Sequence, residues 1–196
     1  MAATVPFNGL ADSGTKLIKE VAASSSSTVS FIHGTSDVVF DGTFDVYEFI
    51  FQNIHPATND TEFGFKATLN GSDWGVATTA TFNFDYMDEA DGTPATFAAN
   101  ATYDSSQSTG LVNVCHSIGN GNDECAGGRL IFYNPASTTF TKMFNFWTTG
   151  YHASDLAENY VGGGYVNTTS AVTGLQFAFS SGNIDAGTIK LIGYRT

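Results

Sequence analysis

The stretch from Phe44 to Ile54, FDVYEFIFQNI, limits the possible folds more than any other part of the chain. Read with the two-residue period of a strand, one side carries Phe44, Val46, Ile50 and Ile54, with Glu48 and Gln52 interspersed; the other carries Tyr47, Phe49 and Phe51. Both sides are largely apolar, which predicts a strand buried between two layers rather than one half-exposed at a surface.

The same logic extends along the chain. Glu62 to Leu69 places Phe63, Phe65, Ala67 and Leu69 on one side and runs into the turn pair Asn70-Gly71. Thr78 to Tyr86 repeats the pattern through Phe82 and Phe84. Thr15 to Val21 reads as a first strand, although Lys16 to Glu20 also suit one helical turn; Ser24 to Ser27 is either a bend or the start of a strand from Thr28 to His33. Further candidates are Gly110 to Ile118, Gly128 to Tyr133, Thr138 to Thr148, Tyr160 to Tyr165, Val172 to Phe179 and Thr188 to Tyr194, with Asn134-Pro135-Ala136-Ser137 as a hairpin turn. Asp88 to Tyr103 is acidic and alanine-rich and reads as a long loop. Seventeen Phe and eight Tyr favour pleated surfaces, and twenty-one Gly supply turns. Roughly ten short antiparallel strands of this kind predict an all-β fold, a β-sandwich of jelly-roll form. Residues 1–14 read as an N-terminal arm and residues 15–196 as a single domain.

Nineteen Asp and Glu against seven Lys and Arg give a formal charge of −12, which repels a phosphate backbone and argues against nucleic acid as a partner. An acidic surface keeps a many-copy component soluble and complements a basic neighbour. No positively charged, apolar leader opens the sequence and no run of membrane-spanning length occurs, so neither secretion nor a membrane is expected. Cys115 and Cys125 have nine residues between them and could meet across a hairpin; in a reducing cytosol free thiols are the expectation and a disulfide the alternative.

Chemistry-bearing residues are sparse. His33-Gly34-Thr35-Ser36-Asp37 holds a His, a Ser and an Asp within one turn, but triads are assembled across a fold, so a polar turn is expected. No G-x-S-x-G elbow exists. Glu48, Glu62, Glu89, Glu124 and Glu158 are too scattered to nominate a hydrolytic pair; Glu48, among apolar neighbours, needs a partner such as Lys66 or Arg129, or a raised pKa. Asp85, Asp88, Glu89 and Asp91, and more weakly Asn120, Asn122, Asp123 and Glu124, could offer oxygens to a cation, but solvated loop charge is the plainer reading. His55 and His152 read as backbone caps or interface residues, His116 beside Cys115 has no partner at zinc spacing, and the four His form no evident ligand set. Trp74, Tyr86, Tyr103, Trp147, Tyr151 and Tyr160 could stack on a saccharide if several were exposed together. Sequons at Asn59, Asn70, Asn100 and Asn167 are read as turn chemistry. The expectation is therefore no catalytic residue, no metal and no cofactor.

Three stretches add a resemblance: VYEFIFQNIHPATNDTEFGFKAT, GGRLIFYNPASTTFTKMF and TTSAVTGLQFAFSSGNIDAGTIKLIGY. With their N-I-H-P strand end, Y-N-P-x-S hairpin and terminal S-G-N-I-D-x-G-x-I-K-L-x-G motif, they resemble small virion structural proteins of tailed bacteriophages, particularly marine ones. The resemblance implies a non-enzymatic part on the exterior of the virion, assembled in the host bacterial cytoplasm. Its partners would be the major capsid protein or other virion proteins, with the chain itself a homo-oligomer, a trimer by expectation. A head-decoration or cement role is favoured, and a tail-fibre or adhesin module binding host-surface glycans is the alternative. The motif Ser181 to Gly187 is read as tight turns before a last, sheet-closing strand.

Overall fold

The computed structural model describes residues 14–90, 92 and 97–195. The expected N-terminal arm lies almost wholly outside them, as do Asp91 and most of the central part of the predicted acidic loop. Among the described residues thirteen strands form, all paired antiparallel: β1 Thr15–Ser26, β2 Val29–Ile32, β3 Val46–Pro56, β4 Thr61–Thr68, β5 Thr78–Asp88, β6 Ala98–Ala99, β7 Ser105–Ser108, β8 Val112–Ile118, β9 Ala126–Tyr133, β10 Lys142–His152, β11 Leu156–Val166, β12 Gly174–Phe179 and β13 Ile184–Tyr194. No helix occurs among the described residues.

Two layers make the sandwich. Seven strands follow one another as β1-β13-β3-β9-β10-β11-β5, with β6 and β7 as short ribbons against β5; four more run β8-β4-β12-β2. The layers join at one strand bridge, between His152 at the end of the interior strand β10 and Ile118 of β8, the edge of the four-strand layer. It is flanked by bonds from Ala153 N to Ser117 O at 2.9 Å and from Gly119 N to Tyr151 O at 3.1 Å. Phe177 of β12 reaches across the interior, with Phe49 and Phe51 of β3 at 5.0 and 5.2 Å between ring centroids and Phe63 of β4 at 6.1 Å. Edge and tilted ring pairs of this kind each add about 0.5–1.5 kcal/mol beyond the area they bury.

Strand β3 corrects the sequence reading in two ways. Tyr47, Phe49 and Phe51 are buried as expected, but Val46 and Ile50 are only half-buried and Gln52 is exposed, so the far side of this strand is a surface of the molecule. Ile54 does not share that side. Asn53 adopts φ 51° and the pairing with β9 slips between Phe51 and Ile54; this bulge turns Ile54 into the core, where it is fully buried. Gly187, expected in a turn, lies within β13 opposite the bulge at φ 123°; a Cβ there would sit 2.6 Å from Asn53 O. Only glycine permits that approach.

Other strands are longer than expected. β1 runs through the serine tract as far as Ser26, and the Asn134 to Ser137 turn does join the paired strands β9 and β10. Asn70-Gly71 is a turn with Gly71 at φ 79°, but it leads from β4 to β5, which do not pair. The polar strand β7, SSQS, has no apolar alternation to announce it. In β11 the tract Gly162-Gly163-Gly164 is a packing feature: Gly162 lies between Phe146 and Phe82 in register, and a Cβ there would meet Thr81 O at 2.2 Å and Phe146 Cζ at 2.4 Å.

Candidate functional site

The outer side of the seven-strand layer presents a broad surface to a partner. Register places Glu20, Lys190, Ile50, Arg129, Trp147, Val161 and Asn83 in one row across it, each residue directly opposite the next on the neighbouring strand. Strand β10 alternates strictly, so Met143, Asn145, Trp147 and Thr149 all point outward while Phe144, Phe146 and Thr148 point into the core. Trp147 is 55% exposed. A shallow groove of about 430 Å³ along Ile131, Asn145, Trp147 and Val161 borders a second of about 550 Å³ along Ile50, Trp147, Thr149 and Asn159, and Arg129 lines both.

The polar groups of this face are tied to one another. Trp147 Nε1 donates to Asn159 Oδ1 at 2.7 Å, and Asn159 Nδ2 donates to Asp85 Oδ1 at 3.1 Å, which holds the indole in one orientation. Glu48, 8% exposed, faces Arg129 at 3.5 Å and accepts a hydrogen bond from the Tyr194 hydroxyl. Arg129, one of the partners expected for it, is thus the one it has.

Of the six aromatics considered for stacking, Trp147 alone is exposed; Tyr160 is buried and Trp74, Tyr86, Tyr103 and Tyr151 are half-buried. His33 sits in the expected polar turn, its Nδ1 accepting from Phe40 N at 3.0 Å, and His55 Nδ1 lies 2.6 Å from Glu124 O. The acidic residues are similarly occupied: Asp88 accepts from Ala90 N, Glu89 from the Tyr151 hydroxyl, Glu62 from Ser180 Oγ and Glu124 from Gly121 N. Neither acidic loop gathers its carboxylates into a ligand group among the described residues. Both cysteines are free thiols, Cys115 buried and Cys125 half-buried.

A second cluster was invisible in the sequence. His116 of β8, His152 at the end of β10 and Glu158 of β11 come together beside the bridge between the layers. The His116 ring stacks on Tyr103 at 4.6 Å and meets the rings of Phe82, Phe84 and Tyr160 within 5.2–5.7 Å. His116 Nε2 is 3.2 Å from Glu158 Oε2, yet neither ring nitrogen of His116 has a properly directed hydrogen bond. Burial, with a smaller push from His152, lowers the His116 pKa to about 4, so the ring is neutral at pH 7 and the contact is no salt bridge. An unsatisfied polar atom in such a place costs about 1–3 kcal/mol.

The single hydroxyl proton of Tyr160 faces two acceptors, His116 O at 2.9 Å and Glu158 Oε2 at 2.7 Å. The bond donated by the hydroxyl lowers the Glu158 pKa, but burial outweighs it and raises that pKa above the usual carboxylate value.

The chain matches no family model, no curated protein and no solved structure.

Proposed function

We propose that this chain is a non-enzymatic structural protein of a tailed-bacteriophage virion, a head-decoration or cement protein that seats on the major capsid protein through the outer face of the seven-strand layer. The observation that carries the reading is Trp147: a large aromatic, held rigid by Asn159 and left exposed at the centre of a broad sheet face, flanked by the half-buried Ile50, Ile131 and Val161. Pre-oriented aromatic anchors surrounded by apolar contact and rimmed by polar groups are what protein interfaces use. The net charge of −12 suits a basic partner surface, and the sequence resemblance supplies the virion setting. Symmetric self-association, with a trimer as the proposed form, is compatible with such a part.

Quantifying the chain in purified particles tests this. A cement protein approaches the copy number of the major capsid protein; a chain tens of times scarcer is not one. The second reading, a host-glycan adhesin, draws on the amides of Asn145 and Asn159 and the guanidinium of Arg129 beside the same indole, groups that also suit sugar hydroxyls. It is weakened because Tyr160 is buried and the other candidate rings are half-buried, and saturable binding of purified protein to host-surface glycans would favour it.

A further inference from the structure

We propose that His116, His152 and Glu158 bind a divalent transition-metal ion of the zinc type, and that this ion fastens the two layers of the sandwich where their backbones meet. One ligand atom from each residue lies within 4.8 Å of the other two. Tetrahedral zinc with bonds of about 2.0–2.1 Å sets neighbouring ligand atoms about 3.3 Å apart, and His116 Nε2 and Glu158 Oε2 already stand at 3.2 Å. Two imidazoles and one carboxylate leave a fourth position open, and this donor set suits zinc and its neighbours rather than calcium or magnesium, which take oxygen.

An independent observation points the same way. His116 is 6% exposed, its two nitrogens lack hydrogen-bond partners, and Nε2 lies 3.2 Å from Glu158 Oε2. A metal on Nε2 gives one orphaned atom a partner. The remainder of the site is organised for it: Tyr103, Phe82, Phe84 and Tyr160 fix the plane of the ring, and the Tyr160 hydroxyl holds Glu158 as an outer partner. His152 is half-buried, and it provides the route in from solvent. It is also the residue that must adjust. Its Nδ1 now accepts from Ser154 N at 2.9 Å, and coordination through either nitrogen gives up that turn contact.

The three ligands sit on β8, β10 and β11, so the ion would join the edge of the four-strand layer to two strands of the seven-strand layer. Binding to the folded state alone then appears as added stability.

The test titrates zinc chloride into chelator-treated full-length protein, following heat of binding and thermal unfolding, with cobalt(II) as a spectroscopic probe of a tetrahedral site. One ion per chain is expected. Zinc at about 100-fold over Kd should raise Tm by about 5–10 °C. His152→Ala, at a half-buried position, should fold and lose affinity by at least about tenfold, as even an outer partner of a metal can cost. Glu158→Gln, which keeps shape and a hydrogen bond to Tyr160, should do the same, while His55→Ala should bind as the parent does. No stoichiometric uptake by the parent chain, or undiminished uptake by His152→Ala, overturns the proposal.

Discussion

Trp147 Nε1 donates to Oδ1 of Asn159 across adjacent strands at 2.7 Å, and this bond keeps an exposed indole from sampling other rotamers. Trp147→Ala should leave Tm within a few degrees, because the ring contributes little to the core, yet weaken attachment to capsids by about 2 kcal/mol or more, roughly thirtyfold. Asn159→Ala frees the ring without removing it and should cost less, about 0.5–1.5 kcal/mol. Co-sedimentation with capsids lacking the chain measures both. Undiminished attachment of Trp147→Ala would remove this face from the interface.

Tyr47 is fully buried and its hydroxyl has no hydrogen-bond partner. Burial, with a smaller contribution from Asp41, pushes its pKa up to about 12. Above pH 10 the unfolded chain releases this proton while the folded chain keeps it, so stability falls as pH rises from about 10 to 12, by on the order of 3 kcal/mol. Tyr194, held at about 12 chiefly by its hydrogen bond to Glu48, shifts in the same direction. Tyr47→Phe should raise stability at pH 7 by about 1 kcal/mol and flatten the alkaline decline. Urea titrations at pH 7 and across the alkaline range read both effects; a less stable variant would mean that the hydroxyl is satisfied in solution.

Phe177 meets rings from both layers, so Phe177→Ala should cost about 3–5 kcal/mol, while Phe177→Leu should recover much of it. Chemical denaturation distinguishes the two. Equal losses would mean that ring geometry, rather than filled volume, sets stability here.

Cys115 is buried and burial lifts its pKa to about 12, whereas Cys125 is half-buried. A thiol reagent at pH 8 should therefore modify one equivalent in the native protein and a second only on unfolding. Two fast equivalents would place Cys115 nearer the surface; none after unfolding would indicate a disulfide.

Much of the fold is legible in the sequence because a strand's alternation is local. The Phe-rich run of β4 declares which side is buried, and the turn at Asn134 declares its hairpin. Alternation could not show that Val46, Ile50 and Gln52 face water, since nothing within a strand says whether a second sheet covers it. Nor could it show the slip at Asn53 that carries Ile54 inward. Of the candidate sites, Glu48 meets Arg129, one of the two cations expected for it on charge alone; the pairing of β3 with β9 that chooses between them is tertiary.

The chain's own residues dictate an acidic, aromatic-rich, all-β sandwich, because side-chain period and turn chemistry act over a few neighbours. Only the tertiary structure decides that Trp147 alone among the candidate rings stands exposed, and that His116, His152 and Glu158 meet. Those placements depend on which strand edges pair across long loops. Bringing β8 beside β10 and β11 sets neighbours that no local spacing encodes.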